Sequence, residues 1–354
     1  MKLPSAWKQT AIKSSLQTLN ALGIFRLLQR NWQGIGVIFT LHHVDPVTLR
    51  GFSPNRILSI TPDYLREAIR EVRSMGTEFV SLQEGCDRLR SGKHGKRFAC
   101  LTFDDGYIDN LHHALPVLEA EDVPFALYVS TAMPNGTAML WWDVLELVIE
   151  KNNVTELPLE TGCQRLPTRS ASEKSQAHHQ AYRYLRGSVF TKQHALSREL
   201  AERCDFNWQA HTSSVALDWP NLQTLADHPL CEIGAHTVDH PALSLLDDHQ
   251  AGQQIEASRA ELSKRLNVPI RHFAYPYGDP GSAGRREFDL LDSLGFESSV
   301  TTRKGVLFPE HRGEMQALPR VSLNGDFQSR RYTRIFAAGA PFALSNRFHR
   351  LNVN

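Results

Sequence analysis

The sequence predicts an α/β fold in which helices cover a parallel sheet. Three observations carry that expectation. Short apolar runs alternate with helical patterns along most of the chain, the runs are apolar on both faces, and several of them end in polar, ligand-like residues. A length of 354 residues suits two ordinary domains or one large barrel. The strand–helix rhythm breaks once, at about residues 135–220, and then resumes. That stretch reads as a helical insertion in one barrel, with a separate small domain as the alternative.

In chain order, residues 7 to 28 place Trp7, Ala11, Leu16, Leu19, Leu22, Phe25 and Leu28 at steps of three to five, the spacing of an amphipathic helix. Residues 1–33 form this N-terminal segment. Gly36 to Leu41 is a continuous apolar strand ending in His42 and His43. Thr61 and Pro62 open a helix through Met75, Gly76 stops it, and Phe79 to Leu82 make a short strand. Strands follow at 97–103 and 124–130 around a helix at about 108–121. Beyond the insertion come strand 231–235, helix 247–266, strand 270–274, helix 284–294, strand 296–301 and a last short strand near 317–321. The barrel therefore spans 34–325, and residues 326–354 are a basic C-terminal tail. Within the insertion, an aromatic helical segment from Met139 leads through a polar stretch at 168–179 to helical periodicity from Tyr182 to Arg203. No internal repeat interrupts this reading.

Thirty-nine basic and thirty-eight acidic residues give a net charge of +1, too little to hold nucleic acid by counterion release. The charge is unevenly spread. Residues 1–44 carry Lys2, Lys8, Lys13, Arg26 and Arg30 and no acid, and the chain beyond Asp326 carries Arg330, Arg331, Arg334, Arg347 and Arg350 and no acid. Basic ends around an acidic body raise peripheral contact with an anionic membrane surface, beside the plainer reading of a helix packed on the core. The five cysteines are odd in number and form no CxxC pair, which fits a reducing compartment. The first thirty residues lack a secretory apolar core and no run is long enough to span a bilayer, so the expected location is the cytoplasm.

Parallel sheets deliver functional residues at the C-terminal ends of their strands. Here those ends hold His42-His43, Asp104-Asp105-Gly106, His236 through His240, and Tyr275-Pro276-Tyr277-Gly278. Histidines four apart, as His236 and His240 are, face one way on a helical turn and can share a divalent metal. Adjacent aspartates point apart, so one can join the two imidazoles in a two-His, one-carboxylate set while the other takes a proton from water. Each motif alone has a plain structural reading: surface histidines, a turn triplet, an aromatic turn. Tyr277 can offer its backbone N–H to an anionic intermediate, and His42 or His43 can protonate a leaving amine.

The strings LTFDDG (101–106), IGAHTVDHPALS (233–244) and FAYPYG (273–278), in that order, resemble the polysaccharide deacetylase family, also called the NodB-homology or carbohydrate esterase family 4 proteins. The resemblance implies a distorted (β/α)7 barrel and metal-dependent removal of acetyl groups from N-acetylated sugars. It implies Asp104 as base, Asp105, His236 and His240 as metal ligands, and a divalent metal, zinc first among them. Two positions depart from the family pattern. Ala274 stands where the third motif commonly has an arginine that orients the base, and Arg320 in the LPR segment is the expected substitute. The family's final Leu-x-His motif is not evident after residue 300. LHHV (41–44) instead resembles the Tyr-His-x-Val element of poly-N-acetylglucosamine deacetylases, which names His42 as the acid, with His43 in reserve.

The substrate expected is an N-acetylated saccharide, free or as a lipid-linked glycan precursor at the inner membrane face. An O-acetyl ester or a cyclic amide is the rival within hydrolases, and a catalytically silent glycan-binding scaffold is the rival outside them. Trp141, Trp142 and Trp219 are candidates to stack on sugar rings, against the commoner alternative of aromatics buried in the insertion.

Overall fold

The computed structural model describes residues 6–47, 51–92 and 95–353. Its centre is a closed barrel of seven parallel strands: β1 (Gly36–Leu41), β2 (Phe98–Phe103), β3 (Phe125–Val129), β4 (Cys231–Ala235), β5 (His272–Ala274), β6 (Ser298–Lys304) and β7 (Leu318–Ser322). The strands neighbour one another in chain order, and β1 pairs with both β7 and β2, which closes the ring. A two-residue strand, Glu78–Phe79, adds to the lower edge of β2. The expected (β/α)7 barrel is therefore present. It is distorted between β6 and β7, where the register shifts between Val300 and Lys304 and a 3-10 turn at Pro309–Gly313 replaces a covering helix.

The apolar runs are buried on both faces because alternate residues serve different cores. Val37, Phe39 and Leu41 of β1, Leu101 and Phe103 of β2, and Phe125 and Leu127 of β3 pack outward under the helices. Ile38, Phe98, Cys100, Tyr128 and Leu318 fill the barrel. The filling is tight: Gly234 pairs with Tyr128 across β3 and β4, and a Cβ there would stand 2.4 Å from the tyrosine ring. Toward the C-terminal ends the interior turns polar, with Thr40, Thr102 and Arg320 all buried.

Several elements differ from expectation for local reasons. The N-terminal helix is two helices, Ala6–Ala21 and Ile24–Trp32, separated at Gly23 with φ of +73°. Leu82 opens a helix to Ser91 rather than closing a strand, because the Ser81 hydroxyl accepts the Glu84 N–H as an N-cap. The helix after β2 begins as a π turn, Asn110–Ala114, before Leu115–Ala120. In the insertion, five helices lie at Trp141–Lys151, Ala171–Gly187, Phe190–Arg203, Trp208–Val215 and Trp219–Ala226. Between the first two runs an unexpected antiparallel hairpin, Val154–Leu159 with Gly162–Pro167. The polar stretch at 168–179 is largely helix, started by a Ser170–Glu173 capping box. The insertion has its own core around Trp141, Leu145, Ile149, Leu157, Ala181 and Leu200.

The two ends of the chain meet. Leu16 and Phe25 pack with Tyr332, Ile335 and Ala340 of the C-terminal helices Arg330–Ala337 and Ala340–Ser345. The tail is thus docked on the barrel, where Arg330 and Arg334 both pair with the buried Glu71 of helix Pro62–Ser74. Lys2 and the side chains of Trp7, Lys8 and Arg26 lie outside what is described. Among the described residues no helix is long and apolar enough to cross a membrane.

Candidate active site

At the end of β2 the Asp104 N–H still donates to the Leu41 carbonyl, 3.0 Å away, so this residue continues the strand. The backbone then reverses through Asp105 (φ +77°) and Gly106 (φ +94°). The reversal sends two adjacent carboxylates to different tasks. Asp104 points into the barrel, where Arg320 of β7 grips it with two parallel bonds, of 2.7 Å to Oδ1 and 2.6 Å to Oδ2. Arg320 is itself held by the Thr301 carbonyl and the Thr102 hydroxyl, both at 3.0 Å. Burial would raise the Asp104 pKa, but the guanidinium's charge and hydrogen bonds hold it below the usual carboxylate range.

Asp105 meets the two histidines after β4. Its Oδ1 lies 3.3 Å from His236 Nε2 and 3.4 Å from His240 Nε2, and one ligand atom from each of the three lies within 4.8 Å of the others. His236 is aimed by its far nitrogen, since Nδ1 is 2.6 Å from the Ala274 carbonyl of β5 and donates to it, leaving Nε2 as the lone pair. The histidine–strand pattern of the sequence is folded so that Thr237 (φ +67°) and His240 (φ +59°) curl the loop back, with the His240 N–H donating to the Thr237 hydroxyl at 3.0 Å. Asp105 Oδ1 is buried with no hydrogen-bond partner, an atom that needs a cation or a proton. One carboxylate oxygen and two imidazole nitrogens with buried walls fit a divalent metal. Burial depresses His240 to about 3, opposed by Asp105, so its imidazole is neutral as a ligand must be. Burial alone would raise Asp105, yet the adjoining imidazoles of His236, His240 and His42 keep it low.

His42 follows β1 on the same rim. It feels Asp105, Asp104 and Arg320 as charged neighbours, and burial, the largest influence, lowers its pKa. Its carbonyl accepts the Asn110 side-chain N–H at 2.8 Å. His43 turns to another partner: Nδ1 is 2.6 Å from Asp109 Oδ2 and the ring lies 3.7 Å from that of Tyr107. Burial lowers His43, but the bond and charge of Asp109 outweigh it and the net shift is upward. Asp109 was not among the residues singled out from the sequence, although it stands in the same DDGYIDN string. The π turn that begins beside it is what carries Asp109 and Asn110 to the histidine pair, and nothing in side-chain spacing announces a π turn.

Tyr277 borders the Asp105–His236–His240 cluster, its ring centroid 4.7 Å from that of His240. It too has a left-handed backbone, φ +62°. Asp105, Thr237, His240 and Tyr277 are four of the nine non-glycine residues described with positive φ, so backbone strain gathers at this mouth. Among the described residues the Tyr277 N–H donates to no protein acceptor. Two of the three candidate tryptophans are buried, and Trp219 is only partly so. Trp141 and Trp142 are 2% and 8% exposed, Trp142 packs 5.2 Å from His240, and its N–H donates to the Tyr107 hydroxyl. Trp219 lies apart, under Arg265, with its N–H on Asn135.

A model of the polysaccharide deacetylase family matches residues 176–297, which include the second and third motifs but not LTFDDG. Among solved structures, the chain resembles the Streptococcus pyogenes deacetylase PplD, with 16% identity and a TM-score of 0.57 over 85% of this chain and 97% of that one. It also resembles IcaB from Ammonifex degensii, with 19% identity and a TM-score of 0.54 over 87% and 97%. For the polysaccharide deacetylase BA0330 of Bacillus anthracis the values are 12% and 0.53 over 86% and 68%. No curated protein matches the chain. At these identities the structural likeness speaks for the barrel alone. The strands and their order define a (β/α)7 barrel, and the family model's match covers residues 176–297, about a third of the chain.

Proposed function

We propose that this chain is a metal-dependent de-N-acetylase of amino sugars in a polysaccharide, an oligosaccharide or a lipid-linked glycan precursor. The observation that carries the reading is the parting of Asp104 and Asp105: one carboxylate is left unpartnered between two histidines, while its neighbour is held ionised by Arg320. A divalent cation, zinc in the first instance, held by Asp105, His236 and His240 would supply Lewis acidity at the acetamide oxygen and at water. Asp104 accepts the proton of the attacking water, and Arg320 orients it for that task. The Tyr277 N–H stands ready for the oxygen that becomes negative as water adds to the carbonyl carbon. His42 delivers a proton to the sugar nitrogen as the C–N bond breaks, releasing acetate and an amine, with His43 on Asp109 as the reserve donor. PplD was solved in complex with acetate, the acid this reaction would release.

The test is acetate release from a panel of N-acetyl and O-acetyl saccharides and cyclic amides. Asp104→Asn is expected to lose about 10²–10⁴ in kcat. Wild-type turnover in that variant removes Asp104 as the base, and acetate release from O-acetyl substrates alone turns the reading to an esterase.

Attachment to an anionic membrane is part of the same proposal. The joined terminal helices expose Leu22 (69%), Leu27 (78%) and Phe348 (56%), and Arg30, Arg331 and Arg347 of the same segments are exposed too. A surface of basic and apolar side chains suits acidic lipid headgroups at the inner face of a cytoplasmic membrane.

A further inference from the structure

The loop that carries Tyr277 is gripped from two directions, and only one grip belongs to the barrel. On the barrel side, the Thr302 hydroxyl donates to the Tyr277 carbonyl at 2.6 Å and the Thr302 N–H donates to the Gly278 carbonyl at 3.0 Å. Gly278 (φ +62°) has to be glycine there, because a Cβ would stand 2.6 Å from the Thr302 nitrogen. These contacts hold the carbonyls and leave the ring to others. On the far side, the ring is held by the insertion. The Trp141 indole N–H donates to the Tyr277 hydroxyl at 2.9 Å, and the Arg186 guanidinium lies 3.7 Å over the ring centroid. Arg186 is fixed in turn by Asp279, at 3.2 Å, and by the Ser282 hydroxyl, in the loop that follows Gly278. One side chain of the insertion therefore bridges the tyrosine ring and the chain that leads away from it.

A tyrosine holds a left-handed backbone only where its surroundings insist on it. With the ring released, the 276–278 turn is free to relax toward ordinary φ, which swings the Tyr277 N–H away from the site. We propose that Arg186 is a positioning residue for amide hydrolysis and that the helical insertion, through Arg186 and Trp141, completes the active site by clamping Tyr277. This rests on the deacetylase reading for its kinetic consequence, but the clamp is a claim about the loop and has its own measurement. Lysine cannot replace the arginine fully: it keeps the charge beside Asp279 but lacks the planar face that covers the ring.

The experiment pairs steady-state acetate release with backbone hydrogen exchange of the full-length protein, for wild type, Arg186→Ala, Arg186→Lys and Trp141→Phe. Arg186→Ala is expected to lower kcat by about tenfold or more with KM changed by less than about threefold, since the affected N–H acts as charge develops. Exchange in the 275–279 segment should quicken by about tenfold while strand 231–235 keeps its protection. Arg186→Lys should fall between wild type and Arg186→Ala in both. A kcat within about twofold of wild type, or a lowered kcat with unchanged exchange at 275–279, overturns the clamp. If Arg186→Ala does not fold, Trp141→Phe decides: slower turnover with faster local exchange supports the proposal, and wild-type values in both overturn it. Wild-type protein that releases no acetate from any substrate defeats the deacetylase reading, and the exchange measurements still decide the clamp.

Discussion

The loop of His236 and the loop of Tyr277 adjoin at one mouth, yet they are secured differently. The histidine loop is held by the barrel and its covering helix. His236 donates to Ala274, the Ser130 hydroxyl donates to the His236 carbonyl at 2.8 Å, and Gln254 of helix Asp248–Leu266 accepts the N–H groups of Val238 and Asp239 at 3.1 and 3.0 Å. The tyrosine loop draws half of its support from the insertion, through Trp141 and Arg186. The lesson is a division of labour. The Asp104–Arg320 pair and the base of the histidine loop sit on strands that close a ring, and the Tyr277 N–H sits where an added layer presses on it.

The sharpest way to break this contrast is at the barrel. Arg320→Met leaves Asp104 buried without its partner, and a loss of about 3–5 kcal/mol of stability is expected, read from urea midpoints. A shift under about 1 kcal/mol would show that the Asp104–Arg320 pair is not what holds the barrel end together. On the proposed reading, a chelator should abolish acetate release and leave the far-UV spectrum unchanged, because the ring is closed by backbone pairing of β1 with β7 and β2.

The insertion should answer to pH through Glu146. Glu146 accepts the Asn55 N–H at 2.7 Å and the Ser53 hydroxyl at 2.9 Å, tying the insertion to the loop before helix Pro62–Ser74. Burial raises its pKa from the ordinary 4.5 to about 7, those two bonds oppose the rise, and Asp143 and Glu150 add to it. The folded state therefore holds this proton more tightly than the unfolded chain. Stability is greatest below the ordinary value and declines as pH rises from 4.5 to about 7. Glu146→Gln should flatten that slope in thermal melts across this window, and an identical slope would remove Glu146 as its source.

The smallest effect is expected at the terminal helices, where the barrel's stability is not at stake. Binding to vesicles containing anionic lipid should fall as salt is raised and should weaken in Leu27→Ser/Arg30→Ser/Arg331→Ser, with acetate release in solution unchanged. Vesicle binding equal to wild type in that variant rejects this face as the contact.

Much of the centre was legible because strand ends in a parallel barrel have a known direction. An apolar run followed by Asp-Asp-Gly or by two histidines four apart announces its own place at the mouth. The approach of Arg320 to Asp104 was foreseen only as a substitution for Ala274. What made it real is that β7 lies next to β1, which pairs with β2 on its other side, so an inward residue of β7 reaches the end of β2. Asp109 escaped notice because a π turn changes which helical residues share a face. The hairpin at 154–167 escaped because its outer strand is polar and exposed, with no apolar alternation to mark it.

Local chemistry in the chain determined most of the elements and the identity of the ligand-like residues, since periodicity, caps and turn glycines act over a few positions. Tertiary structure alone decided three things: that the two basic ends fold into one layer, that Trp141 and Trp142 of the insertion are buried against the site, and that Arg186 lies over Tyr277. Those contacts join residues tens to hundreds of positions apart, and their existence depends on how layers pack, which no short-range pattern records.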